Sequence, residues 1–129
     1  MASIRREITL GASAEDVWDA VRDFGAVHKR VVPGFVVECT LEGETRLVTF
    51  SNGTVAREVL VGRDDNQRRL VYAVKSERVS HYNASLQVFP EDEHSRVVWI
   101  VDVLPGEVKD YIVRQMEEAA GAMKSTFAR

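Results

Sequence analysis

An α+β fold is predicted, in which an antiparallel sheet is covered by one long C-terminal helix. Three observations carry this. From Phe35 to Val103 apolar residues recur with a period of two and no helical stretch intervenes, and consecutive strands of that kind form an antiparallel meander. After Pro105-Gly106 the period changes, and Val108, Tyr111, Ile112, Gln115, Met116, Ala119, Ala120, Met123 and Phe127 step by three and four. Between two of the alternating runs stands Asn52-Gly53, the strongest short signal for a hairpin.

The elements follow in order. Ile4, Ile8 and Leu10 share one parity and Arg5, Glu7 and Thr9 the other, so Ser3 to Leu10 reads as a half-buried strand. Ser13, with Asp16 three residues on, can cap a helix from about Ala14 to Asp23 whose apolar stripe is Val17, Trp18, Val21 and Phe24. Gly25 breaks it, and a second short helix runs to about Arg30, before Pro33-Gly34. Six strands are then expected at Phe35 to Leu41, Thr45 to Phe50, Thr54 to Val61, Arg69 to Lys75, His81 to Phe89 and Arg96 to Val103. The Asn52-Gly53 turn is expected as type I′, with positive φ at both residues. The last helix, of about 22 residues and roughly 33 Å, should bury its apolar stripe and cover the sheet.

Length and composition limit the alternatives. The chain's 129 residues predict one domain over 1–129 with a core large enough to need no disulfide or metal. Hydrophobic residues at 45% and charged residues at 29% exclude a disordered or fibrous chain. A net charge of −3, with both signs interspersed, predicts no nucleic-acid partner. The longest apolar runs, such as Val97 to Val101, fall far short of the ~20 residues that cross a bilayer, so no membrane insertion is expected. Met1-Ala2-Ser3-Ile4-Arg5-Arg6 has no leader character, and Cys39 is the only cysteine, which together predict a cytoplasmic protein. An exposed edge strand leaves monomer and homodimer equally open.

The strand and helix order, with Ala14-Glu15-Asp16-Val17-Trp18, Ser51-Asn52-Gly53, Arg57-Glu58-Val59-Leu60 leading to Asp64-Asp65, Arg69-Leu70-Val71-Tyr72 and His81-Tyr82-Asn83-Ala84-Ser85-Leu86, resembles the Bet v 1-like or START-like superfamily. Within it the chain is similar to the polyketide cyclase/dehydrase and lipid transport branch, which includes the plant abscisic acid receptors. The resemblance implies a helix-grip fold: a seven-stranded curved antiparallel sheet wrapped around the long C-terminal helix, with two short helices after strand one and an apolar cavity between sheet and helix. It departs from those receptors at Asn52-Gly53-Thr54, which lacks their proline-bearing gate loop, and at Lys29-Arg30-Val31-Val32, where the common tryptophan before Pro33 is missing. Neither the phosphatase partner nor the lid chemistry of the receptors is therefore implied.

By the same resemblance the inward positions are Val37, Cys39, Leu47, Thr49, Glu58, Tyr72, Val74, Tyr82, Ala84 and Leu86, with Ile112, Met116, Ala119 and Ala120 on the helix. Parity then turns Ala56 and Leu60 inward with Glu58. A carboxylate there must be hydrogen-bonded, paired or wet, so Glu58 either meets a ligand or pairs with an arginine such as Arg57 or Arg46. Tyr72 and Tyr82 either supply polar points in the pocket or simply fill the core, and Trp18 and Trp99 read as core. His28, His81 and His94 have no ligand spacing, which predicts no metal. No phosphate-cradling glycine pattern occurs, so no cofactor is implied. Cys39 has no local histidine base to make it a nucleophile. The expected function is binding of a small hydrophobic or aromatic molecule; the alternative is a cyclase, dehydratase or aromatase using the same cavity.

Overall fold

The first strand and the last are neighbours, although the whole meander separates them. In the computed structural model, which describes residues 1–128, β1 (Ala2–Leu10) is followed by α1 (Ala14–Val21), a 3-10 turn at Phe24–Ala26 and α2 (Val27–Arg30). The strands β2 (Val36–Glu42), β3 (Thr45–Phe50), β4 (Val55–Asp64), β5 (Arg69–Lys75), β6 (His81–Glu91) and β7 (His94–Leu104) then run in succession. A 3-10 turn at Gly106–Val108 leads into α3 (Lys109–Thr126). The sheet order is β1-β7-β6-β5-β4-β3-β2, antiparallel throughout. This is the helix-grip architecture expected from the sequence, with α3 shortened to 18 residues because its first turn is wound as 3-10 helix.

Local chemistry explains the elements. The Ser13 hydroxyl accepts from the Asp16 N–H at 3.2 Å and starts α1. Trp18 Nε1 and Arg22 Nε both donate to Asp65 Oδ1 at 2.9 Å, so α1 is fastened to the β4–β5 turn. Buried Ser95 donates to the Ala12 carbonyl at 2.9 Å and closes the β1–α1 corner. The core lies between the concave face of the sheet and α3, where Ile112, Met116, Ala119, Ala120, Met123 and Phe127 are buried against Ile8, Val88, Val97, Val101 and Val103. Gly25 packs so closely on β2 that a Cβ there would lie 2.6 Å from Leu41 Cδ1.

Three expected inward positions face the other way. Val37 is 49% exposed, because the ladder slips between Val36 and Glu38 and the extra residue of a bulge breaks the alternation. Cys39 still packs toward the core. Leu47 and Thr49 lie on the outer face, since Arg46 and Val48 are the buried residues of β3. The cause is the hairpin. Two turn residues at Asn52-Gly53 would set Leu47 opposite Glu58. The structure instead uses Ser51, Asn52 and Gly53: Phe50 N–H donates to the Thr54 carbonyl at 2.8 Å and Gly53 N–H to the Phe50 carbonyl at 2.9 Å. Of these only Gly53 has positive φ, +86°, so the turn is not type I′. The ladder then pairs Arg46 with Glu58 and Leu47 with Arg57, and a one-residue slip exchanges the two faces of a strand.

Gly53→Ala is expected to destabilise the protein by about 1 kcal/mol, because alanine resists that φ. A fall of the thermal midpoint by about 3–5 °C in calorimetry checks it.

Candidate functional site

Glu58 and Arg46 stand directly opposite each other on β4 and β3, with side chains only 11% and 5% exposed. Arg46 Nε donates to Glu58 Oε1 at 2.8 Å and Nη1 to the Phe24 carbonyl at 3.1 Å. The guanidinium lies 3.9 Å from the centroid of the Phe24 ring and 5.2 Å from that of Tyr72. One buried cation is thus satisfied by a carboxylate, a carbonyl and two ring faces. Among the described residues Glu58 Oε2 makes no hydrogen bond.

Two chambers share Glu58 in their linings, and Arg46 borders the first. The first, of about 90 Å³, lies under α2 and the segment that follows it, between Val27, Val31 and Val32 on one side and Leu70, Tyr72, Leu86 and Trp99 of the sheet on the other. Ala119 and Met123 of α3 form its floor. The second, of about 60 Å³, lies toward the β5–β6 loop and is walled by Ala56, Val74, Val79, Tyr111 and Ile112. Phe50, Glu58, Tyr82 and Gln115 border both. Arg78, whose guanidinium is 4.5 Å from the Tyr111 ring centroid, covers the second chamber from the loop.

The polar groups facing this space are few. Burial pushes the Tyr72 and Tyr82 hydroxyls up from the ordinary tyrosine value, with the Glu58 charge adding to the effect in both, so both stay protonated. Tyr82 makes no hydrogen bond among the described residues. Trp99 is 7% exposed, and its indole Nε1 has no partner among the described residues. It lies beside the Tyr72 hydroxyl, near enough to favour the phenolate yet outside hydrogen-bond geometry. Gln115 is engaged with the Tyr111 hydroxyl at 3.0 Å. Away from this space, burial pushes the Cys39 thiol up, which leaves it a poor nucleophile. His81 bonds Asn83 at 2.6 Å at the surface.

Of the residues expected at a ligand site, Glu58, Tyr72, Tyr82, Ile112 and Ala119 border the chambers. Ala84, Met116 and Ala120 are buried in the core away from the walls, and Val37, Leu47 and Thr49 lie outside. Sequence reasoning named Arg46 only as a possible partner and read Trp99 as filler. It overlooked Phe50, Gln115 and the valines around α2. Val27 and Val31, four apart just before Pro33-Gly34, were the legible sign that a short helix turns an apolar face inward.

The model of the family described as polyketide cyclase / dehydrase and lipid transport matches residues 1–129. The chain belongs to this family. Solved structures of similar fold include an uncharacterised protein of Bacillus thuringiensis, 19% identical with a TM-score of 0.88 over 99% of this chain and 100% of that one. A protein of Thermobifida fusca determined by NMR is 31% identical, with a TM-score of 0.74 over 98% and 95% of the two chains. A START superfamily protein of Mycobacterium smegmatis is 14% identical, with a TM-score of 0.81 over 97% and 96%. The comparison with curated proteins found no match. Among the described residues no helix is long and apolar enough to cross a membrane.

Two outcomes follow from the geometry. Arg46→Met, which strands Glu58 without its counter-charge, should cost about 3–5 kcal/mol in chemical denaturation, whereas Arg46→Met with Glu58→Gln should recover most of that loss. The tyrosines predict an alkaline limb. With both folded-state values raised, their contribution is complete below pH ~10 and is lost as pH rises beyond it, because only the unfolded chain releases those protons readily. Denaturant midpoints measured from pH 8 to 11.5 should fall above pH ~10, and Tyr82→Phe should flatten the fall.

Proposed function

We propose that residues 1–129 form one ligand-binding domain whose cargo is a small hydrophobic or aromatic molecule held between the sheet and α3. The observation that carries this is the pair of chambers, of about 90 and 60 Å³, which share Glu58, Tyr82 and Gln115 in their linings and are walled mainly by apolar side chains, with Arg46 at the first and Thr54, Ser76 and Arg78 at the second. A concave apolar site with a few convergent polar groups is the usual form of a small-molecule pocket. The volumes also limit the guest. Together they approach the ~150 Å³ at which an engineered apolar cavity takes up benzene, and they lie well below the ~300–1,000 Å³ of drug-sized pockets. A guest of about one ring matches that sum, and both chambers are partly open toward the surface.

The second reading is an enzyme of the cyclase, dehydratase or aromatase type, favoured by the placement of Glu58 and two tyrosine hydroxyls around one space. Such chemistry needs a group that exchanges protons near the working pH. The tyrosines hold theirs tightly, and Glu58 is tied to Arg46. Binding without turnover is therefore the better reading.

Native mass spectrometry of the purified protein, before and after organic extraction, tests it. A small adduct removed by extraction and missing from a folded Ala119→Leu variant is the expected result, since leucine there fills the floor of the first chamber. Turnover of an added polyketide mimic, abolished in Glu58→Gln, would overturn the binding reading in favour of the enzyme.

A further inference from the structure

The sheet ends at β1 on one side and at β2 on the other, and the two edges are built differently. The β2 edge is guarded. Its ladder slips between Val36 and Glu38, the turn between α1 and α2 lies against it through Gly25 and Leu41, and its exposed Glu38, Thr40 and Glu42 share one face with no base among them. Bulges, covering segments and like charges are the usual means of keeping an edge from pairing.

None of the three protects β1. It pairs one to one with β7 from Ala2 to Leu10 without a slip, and among the described residues no backbone hydrogen bond joins its free edge to another segment. Exposed Ser3, Arg5, Glu7 and Thr9 form its outer face, while Ala2, Ile4, Arg6, Ile8 and Leu10 form its inner face. Antiparallel pairing with an identical strand about a two-fold axis sets each residue opposite the one equally far beyond the axis. With the axis at Arg6, Arg5 meets the partner's Glu7 and Glu7 the partner's Arg5, while Ile4 meets the partner's Ile8. An axis at Arg5 or at Glu7 would instead bring like charges face to face. Opposite charges directly across a strand pair favour it and like charges oppose it. The only like charges left facing each other are the two copies of Arg6, and each is already neutralised by Glu117 of its own α3. In the single chain Arg5 and Glu7 bond each other along one face, so the pairing gathers four alternating charges into one patch.

We propose that the β1 edge is an interface for a second copy of this chain, joined antiparallel about a two-fold axis at Arg6. The two sheets continue into one, with both α3 helices on the same side of it. Strand addition supplies main-chain hydrogen bonds, and the alternation of Arg5 and Glu7 sets the register. This pairing is independent of what the cavity holds.

Analytical ultracentrifugation of the full chain from about 10 μM to about 1 mM tests it, a range suited to a small strand interface. The unaltered protein is expected to pass from one chain mass toward two. Arg5→Glu and Glu7→Arg each set like charges opposite one another at both contacts, so either variant alone should associate at least about tenfold more weakly. An equimolar mixture of the two variants regains opposite charges at both contacts and should form a heterodimer, read as the mixed mass in native mass spectrometry. Thr40→Lys, on β2, should leave association unchanged. A protein that stays at one chain mass throughout overturns the proposal, as does association weakened by Thr40→Lys and not by Arg5→Glu. A mixture that stays monomeric, with both variants folded by circular dichroism, overturns the pairing at Arg6.

Discussion

Taking Arg46 and Glu58 out of water costs several kcal/mol for each ion, and such a pair persists only where geometry is good and the remaining polar atoms find partners. Here the partners come from a distant part of the chain. The Phe24 carbonyl receives one Arg46 N–H and the Phe24 ring lies against the guanidinium, so the turn between α1 and α2 is held over β3 and β4. The same turn rests on β2 through Gly25, where a Cβ would displace the Leu41 side chain. The helix α1 is itself fastened by Trp18 and its C-cap Arg22 to Asp65. The charged pair is therefore the point to which the helical layer over one end of the sheet is tied, and the walls of the first chamber are set by that attachment.

Space remains between sheet and helix for two reasons. Bulges at Val36/Glu38 and Leu60/Gly62 bend the β2–β5 side of the sheet, while β1 and β7 lie against the end of the grip that α3 packs tightly. The helix also presents a small side chain, Ala119, at the first chamber, so the distance set by larger residues elsewhere along the contact is not filled here. Close packing is the rule in protein interiors. A gap bordered by Tyr82, Glu58 and Arg46 departs from that rule at the place where polar groups gather.

Most of the fold was legible because each element carries its period openly. Thr45 to Phe50 and Arg69 to Lys75 coincide with β3 and β5, and the stripe from Ile112 to Phe127 coincides with the buried face of α3 and its end. The site was half legible. Glu58 on an inward parity implied a buried partner, and Arg46 was one of two arginines within reach, but choosing between them needed the register, and the register hung on whether the turn holds two residues or three. That difference involves the φ of Asn52, which its side chain does not dictate; asparagine adopts either sign. Leu47 and Thr49 followed the wrong register, and Val37 lost its place to a bulge no residue type announces. The valines around α2 were readable as apolar, yet a helix of four residues is too short for periodicity to show its face.

The protonation pattern connects these elements to function. A cavity in which Arg46 and Glu58 neutralise each other, Arg78 borders the second chamber and the tyrosine hydroxyls keep their protons offers fixed hydrogen-bonding points. Apolar area removed from water supplies ~25 cal/mol per Å² of affinity without direction, and a few oriented donors and acceptors decide which guest is held and how it lies. The arginine across the strand holds one oxygen of the Glu58 carboxylate in place, so a feature that stabilises the hairpin also fixes a hydrogen-bonding point in the chamber.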